Sequence, residues 1–199
     1  MIKIIIDKIS NFFIEGLENK TPQQCIAVKN GVEILLLNLP KTVLLFLIAY
    51  WMNMLFPVIV CMCAYGALRM YSFGIHLSHD ISCAAWGFLI YIGGTYFALH
   101  INIYHVVRIA TYIICFLLLL KYAPAGMKPR PIGAKQYIPL KAMTILILMI
   151  LIAVSTVLQI FHKTVYANII LIAIISQTIN ILPFTYKIFE KEWLECLKD

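Results

Sequence analysis

Apolar stretches long enough to cross a lipid bilayer dominate this sequence. A membrane-spanning helix needs about 20 apolar residues, because it rises about 1.5 Å per residue through a hydrocarbon core about 30 Å thick. Of the 199 residues, 62% are hydrophobic and 13% are charged. We therefore predict an all-α integral membrane protein with about four to six membrane helices or re-entrant segments joined by short loops. This composition excludes an ordinary soluble domain, and it excludes a disordered or nucleic-acid-binding chain despite the net charge of +7.

Residues 1–33 predict an amphipathic helix that lies on the membrane surface, followed by a linker. Charged residues fall mostly opposite an apolar face, which is the pattern of a helix in contact with membrane lipids. The apolar face comprises Ile2, Ile5, Ile6, Ile9, Phe13 and Leu17. The segment lacks the cleavage pattern of a secretory signal, so we expect the N-terminus to be retained.

Six further segments follow, and we expect the whole chain, residues 1–199, to form a single membrane domain. The segments are an apolar region broken or re-entrant near Pro40 or Asn53 (34–68), a polar cluster (69–83), a membrane hairpin (84–120), a basic loop (121–141), a second membrane hairpin (142–186) and a charged tail (187–199). The four prolines of the basic loop predict that it continues neither adjoining helix. Gly93 and Gly94 predict close helix packing in the first hairpin.

The distribution of lysine and arginine predicts the topology, because cytoplasmic segments keep an excess of both. Residues 1–41 and the basic loop hold five each of the sixteen, the tail holds three, and the turn of each hairpin holds one. We therefore expect the three rich segments to be cytoplasmic. Each hairpin crosses twice, so the broken apolar region must cross twice or not at all. The polar cluster then lies at the cytoplasmic face.

The polar cluster, R-M-Y-S-F-G-I-H-L-S-H-D-I-S-C, contains the residue types of a cysteine protease. His76 and Cys83 are seven residues apart, which on a continuous helix is a rotation of about 700° and a rise of about 10 Å. The two would share a face, but they would need a bent or broken helix to touch. An imidazole beside a thiol can accept its proton, and the resulting thiolate is the nucleophile. Asp80, or alternatively Ser78, could orient the imidazole.

Other interpretations of the cluster stay open from the residues alone. A histidine and a cysteine near a helix end commonly serve packing. His76, His79 and Asp80 form H-x-x-H-D, which could bind a divalent ion, although the zincin pattern H-E-x-x-H is absent and we expect neither a metal nor a cofactor. A transport component could line a polar path with His76, Asp80 and Cys83, and a scaffold would need none of them. The six cysteines form no regular framework, so we expect reduced thiols.

The polar cluster, followed some forty residues later by Y-A-P-A-G-M-K-P-R-P-I, resembles the AgrB family. These are membrane cysteine endopeptidases of Gram-positive accessory gene regulator quorum-sensing systems. The family signature falls here on Arg69, Gly74, His76 and Cys83. One departure is Phe73, which stands where the family commonly has the first of two glycines, and it leaves the His-Cys dyad intact.

The resemblance implies a multi-pass protein in the cell membrane of a Gram-positive bacterium, with an AgrD-like propeptide as substrate. Cys83 would form an acyl-enzyme thioester as the C-terminal tail of the propeptide leaves, with His76 as the acid and base. The product would then cyclise to a thiolactone or lactone. From the charge of the basic loop, Lys128 and Arg130 are our candidates for binding the acidic tail, whereas in the alternative interpretation the basic residues of the loop only anchor helices at the anionic leaflet. Arg69, Gly74 and Asp80 would support the site, and the family analogy implies a homodimer.

Overall fold

The computed structural model describes residues 2–16, 21–75, 80–126 and 133–188, and within these ranges it contains helices and no strand of a sheet. The helices are α1 (Ile2–Glu15), α2 (Pro22–Trp51), α3 (Leu55–Ser72), α4 (Asp80–Phe88), α5 (Thr95–His100), α6 (His105–Tyr122), α7 (Ala134–Ile160) and α8 (Thr164–Ile181), with a π-helical segment (Leu89–Gly94) between α4 and α5. Five stretches of the described chain are long and apolar enough to cross a membrane. They are 55–72, 81–100, 105–122, 135–160 and 164–181. The predicted all-α membrane fold is therefore confirmed.

The chain divides into two compact units, and the first is Met1–Trp51. In this unit α1 packs along α2, and Lys29 Nζ lies 2.6 Å from Asp7 Oδ1 in an exposed ion pair. A capping box begins α2: Thr21 Oγ1 accepts a hydrogen bond from Gln24 N, and Thr21 N donates to Gln24 Oε1, each at 3.3 Å. Pro22 follows as the first helical residue, where its missing N–H costs nothing.

The structure decides between the two expected interruptions of the apolar region. Helix α2 continues through Pro40 to Trp51. The chain breaks instead at Asn53, whose φ of 55° lies in the left-handed region that asparagine tolerates better than most residues. Helix α3 then begins at Leu55, so the segment predicted as broken consists of two helices.

Helix α8 forms the centre of the second unit, Met52–Asp199. Of α8, 61% is buried inside the protein, compared with 17–33% for the other four candidate spans. It contacts α3, α5, α6, α7 and the π-helical segment. Gly94 of that segment lies so close to α8 that a Cβ there would be 3.0 Å from Ile172 Cγ2, which confirms the expected close packing at this glycine.

Hydrogen bonds at the two ends of α8 define two ends of the second unit. Near its C-terminus, the backbone of Asn180 meets the chain that follows α3, and we call this the cluster end. Near its N-terminus, Asn168 Nδ2 donates to the carbonyl oxygens of Ala98 at 3.3 Å and Ile101 at 2.8 Å. We call this the far end. The end of α3 and residues 123–125 therefore lie together at the cluster end.

The far end contains a buried cation, Arg108, which is 2% exposed. Its Nη2 donates to Asn168 Oδ1. Its Nε donates at 2.6 Å to the side-chain oxygen of Gln159, whose orientation is assigned from the hydrogen-bond network. Ala98 and Gln159 belong to the last turns of α5 and α7, and the negative ends of two helix dipoles thus lie near this guanidinium.

The basic loop is shorter than predicted. Helix α7 begins at Ala134 and contains Pro139, whereas the second hairpin was expected to begin at residue 142. Proline at this position leaves the carbonyl of Lys135 without its helical partner. Residues 135–139 are exposed, so water can satisfy that carbonyl, and the expectation that the loop prolines exclude helix was wrong for Pro139.

We predict that Asn168→Leu destabilises the second unit by about 2 kcal/mol, because it leaves Arg108 and two backbone carbonyls with fewer partners in a buried place. Thermal unfolding in detergent would measure the loss. Thr156→Val is the control, since that exposed hydroxyl bonds only to Ile152 O of its own helix and its removal should be near neutral. Equal stability of the two variants would contradict this account of the far end.

Candidate functional site

The polar cluster begins where α3 ends, and its first residues have unusual backbone angles. Phe73 has a φ of 57° and Gly74 a φ of 116°. A Cβ on Gly74 would lie 3.1 Å from the backbone oxygen of Asn180, tighter than ordinary van der Waals contact. Glycine is therefore required here both by the backbone angle and by the approach of α8.

Backbone hydrogen bonds hold residues 73–75 at the cluster end. Gly74 N donates to Ala125 O at 3.1 Å, and Ala125 N donates to Ser72 O at 3.0 Å. Ile75 N donates to Asn180 O at 3.2 Å. We call residues 73–75 the clamped segment. It leads directly into His76, so the path of the chain before that residue is determined by α8 and by residue 125.

Side chains donate to two carbonyls of the clamped segment, those of Phe73 and Ile75. Gln177 Nε2 donates to Phe73 O and to Ser72 Oγ, both at 2.7 Å. Arg69 Nη2 donates to Ile75 O at 2.5 Å. Arg69 lies in the last turn of α3, where a cation is favourable to the helix dipole. The predicted supporting residue Arg69 thus acts on the backbone next to His76.

Tyr186 adds a further contact from the chain beyond α8. Its hydroxyl donates to Ala125 O at 2.9 Å. Burial raises the pKa of Tyr186 to about 12, although the nearby cation of Arg69 opposes the rise. The hydroxyl therefore keeps its proton at neutral pH and remains a donor to residue 125.

Cys83 is the fourth residue of α4, and its side chain is partly exposed with a free thiol. It lies within electrostatic range of Tyr65 on α3 and of Tyr91. Helix α3 ends eight residues before α4 begins, so the cluster is not one continuous helix. That break, at residues 73–75, precedes His76.

Several other predicted site residues, or their side chains, lie outside the part of the chain that the structure describes. His76 lies outside the described residues, as do Lys128 and Arg130. Asp80 begins α4, but its side chain is not described. The alternative metal site also depends on His76 and His79, outside the described ranges. Elsewhere in the described chain, no three His, Cys, Asp or Glu side chains group as a metal site would require.

The analysis of the sequence missed the residues that join the cluster to α8. Asn180 Nδ2 donates to Tyr65 Oη at 2.6 Å, and Trp86 Nε1 donates to Asn180 Oδ1 at 3.0 Å. Both Asn180 and Gln177 are fully buried. The available signal was the presence of two amide side chains, three residues apart, near the end of an apolar span.

Known proteins with similar sequences belong to one family. The profile of AgrB, accessory gene regulator B, matches residues 6–181. A putative AgrB-like protein of Clostridium acetobutylicum is 30% identical over 181 residues, 90% of this chain and 82% of the relative. Accessory gene regulator protein B of Staphylococcus aureus strain MW2 is 26% identical over 182 residues, and that of strain MRSA252 is 25% identical over the same length. Each of these two alignments covers 90% of this chain and 95% of the relative. No solved structure matches.

The family profile covers most of both units, residues 6–51 of the first and 52–181 of the second. Relatives named for the same regulator match over most of their own length, and five stretches of the described chain are suited to crossing a membrane. The chain therefore belongs to the accessory gene regulator B family, and this membership supports a role for a multi-pass membrane protein in agr quorum sensing.

Proposed function

We propose that this protein is a membrane cysteine endopeptidase that removes the C-terminal tail of an AgrD-like propeptide and allows the remainder to cyclise. Family membership supports the quorum-sensing context. The observation that carries the proposal is the clamped segment: backbone and side-chain bonds from three directions fix the chain immediately before His76. A free, partly exposed Cys83 follows in the first turn of the next helix. Fixed geometry of this kind is what a reacting pair needs.

In the proposed reaction, the sulfur of Cys83 attacks the carbonyl carbon of the scissile peptide bond. His76 takes the thiol proton and returns it to the leaving amine, so the tail departs with a free amino group. The rest of the propeptide remains as a thioester on Cys83. A Cys or Ser side chain within it then attacks that thioester, releasing Cys83 and closing a thiolactone or lactone ring.

The proposed intermediate is a thioester on Cys83, the fourth residue of α4. The thioester retains much of the free energy of the peptide bond, which direct hydrolysis would lose. Water must therefore be kept from the intermediate, and a site at the end of a membrane helix bundle limits its access.

Co-expression with the propeptide should produce a covalent adduct on Cys83, detected by mass spectrometry of the intact protein. Its mass should equal the propeptide without its tail, and hydroxylamine should remove it because thioesters are labile to that reagent. Cys83→Ala and His76→Ala should each reduce processing by more than about 1,000-fold, since both members of a nucleophile and base pair are needed.

Cys63→Ala is the matched control for this experiment. Cys63 is a free, exposed thiol on α3, outside the cluster, and its loss should leave processing unchanged. If the inserted Cys83→Ala variant still cuts the propeptide, the proposal fails. If the wild-type protein inserts but leaves the propeptide uncut, the transport or scaffold interpretation would replace it.

Recognition of the acidic tail by Lys128 and Arg130 is part of the proposal. Asp80 is the only acidic residue between Glu33 and Glu190, so cations of the second unit have few acidic partners within the chain. Lys128 and Arg130 follow closely on Ala125, which bonds to the clamped segment. A basic site three to five residues beyond Ala125 would hold an acidic tail close to the reacting bond.

Replacing Lys128 and Arg130 together with glutamine should raise KM for the propeptide about tenfold with little change in kcat, because two charge pairs with the acidic tail would be lost. Processing assays in vesicles at low and high salt would measure this. High salt should raise the KM of the wild-type protein toward that of the variant, because salt screens the charge pairs. Lys163→Gln, at the far end, is the control. An unchanged KM, or an effect independent of salt, would contradict the assignment.

The proposal has the cluster end facing the cytoplasm. In the described chain, Arg69, Lys121 and Lys187 lie near that end, whereas Arg108 and Lys163 lie near the far end. An excess of basic residues marks the cytoplasmic side. The homodimer implied by the family analogy stays a prediction.

Membrane-impermeant maleimide applied to intact cells tests the orientation. Lys163→Cys should be labelled and Lys121→Cys protected, with both labelled after the cells are opened. Peptide-resolved mass spectrometry separates these positions from the native cysteines. The reverse pattern in intact cells would place the cluster end outside and would be incompatible with a cytoplasmic substrate.

A further inference from the structure

Asn180 joins α3, which ends just before the clamped segment, to α4, which carries Cys83. It lies in the last turn of α8 and is fully buried. One side of its amide donates to Tyr65 Oη on α3 at 2.6 Å. The other side accepts from Trp86 Nε1 on α4 at 3.0 Å. A single side chain thus bonds to both helices, across sequence separations of 115 and 94 residues.

The contacts of Asn180 lead to both members of the proposed dyad. Trp86 is three residues after Cys83, one turn further along α4. On the other side, Tyr65 Oη also accepts from Arg69 Nη1 at 3.1 Å, and Arg69 in turn holds Ile75 O. The backbone oxygen of Asn180 accepts from Ile75 N as well. Residue 75 precedes His76, so both routes from Asn180 end next to a reacting residue.

We propose that Asn180 is a positioning residue that holds the clamped segment, which leads into His76, and helix α4, which carries Cys83, at one spacing. This inference rests on the proposed function. Asn180 does not touch the substrate; it acts through Tyr65 and Arg69 on the histidine side and through Trp86 on the cysteine side. Because the amide is buried, water does not compete for either hydrogen bond, and the two helices are held at one spacing.

The distance tolerance of the reaction explains why such a bridge matters. Proton transfer from a thiol to an imidazole requires the two groups at hydrogen-bond distance. A displacement of about 1 Å at a reacting centre can reduce the rate about 100-fold. Residues 73–75 leave helical conformation after α3, so α3 does not by itself fix the direction in which the chain enters His76.

A purely structural role makes different predictions, and Asn168 provides the comparison. Both asparagines are buried on α8, and each bonds to two neighbouring elements. Asn168 holds the far end, around Arg108, and has no contact with the cluster end. Asn168→Leu should therefore reduce stability without affecting the chemical step, whereas Asn180→Leu should affect both.

The test measures kcat and KM for propeptide cleavage in vesicles containing the full-length protein. Asn180→Leu should lower kcat about 100-fold and change KM by less than about twofold, because substrate binding is left intact while the reacting pair separates. Asn168→Leu should keep kcat within about twofold of the wild type. Equal loss of kcat in both variants, or an unchanged kcat in Asn180→Leu, would overturn the inference.

Trp86→Phe keeps an aromatic side chain and removes the indole N–H that bonds Asn180, together with the pyrrole part of the indole ring. It should lower kcat with KM unchanged, and adding it to Asn180→Leu should cause no further loss, since both changes break the same link. Additive losses would overturn the inference. If Asn180→Leu fails to insert, Trp86→Phe alone decides: an unchanged kcat refutes the role of the bridge, and a reduced kcat with unchanged KM supports it.

Wild type and Cys83→Ala are assayed in the same vesicles. This distinguishes a failure of the proposed function from a failure of the inference about Asn180. Cleavage by the wild type and none by Cys83→Ala would establish the proposed function whatever Asn180→Leu does. Absence of cleavage by the wild type, or cleavage by Cys83→Ala, would refute the proposed function and with it the inference about Asn180.

Discussion

Backbone groups outside helices are the main constraint on this fold, because an unpaired N–H or C=O in an apolar surrounding costs several kcal/mol. The second unit has such groups at both ends of α8. Near the far end, Asn168 bonds the carbonyls of Ala98 and Ile101. At the cluster end, Gln177 bonds Phe73 O, and Asn180 O accepts from Ile75 N. The polar residues of the central helix therefore determine where the chain can leave helical conformation.

Arg69 and Arg108 of the second unit also depend on neutral polar groups, because the chain holds so few acidic residues. Arg69 bonds a backbone carbonyl and a tyrosine hydroxyl, and Arg108 bonds two amide side chains. Each guanidinium also lies near the C-terminal end of one or more helices, where the dipole is negative. Neutral oxygens and helix ends thus stabilise these cations.

Much of the fold was predictable from hydropathy, and the errors have local causes. The sequence indicated helical spans and an interruption near Asn53 or Pro40, but only the structure decided for Asn53, because α2 continues through Pro40. Pro139 lies within α7 because its exposed surroundings allow water to satisfy the freed carbonyl.

The site was predictable in part. Arg69, Gly74 and Cys83 stood out in the motif, and the structure gives the first two a physical role at the clamped segment. Asn180 and Gln177 lie about a hundred residues further along the chain. Their partners are backbone and hydroxyl groups that become neighbours only after α8 packs against α3. No periodicity in the sequence specifies which end of which helix a buried amide will meet.

The π-helical segment affects the rotation of α4, the helix that carries Cys83. Trp86 and Ala98 both bond to α8, yet they are 12 residues apart. In a regular α-helix these positions would be rotated by about 120° from each other. A π-helix has more residues per turn, so residues 89–94 bring both positions to the same side. Deleting one residue there would turn α4 by about 100° and direct Cys83 away from its present surroundings, although the change itself would lie two turns deeper in the membrane.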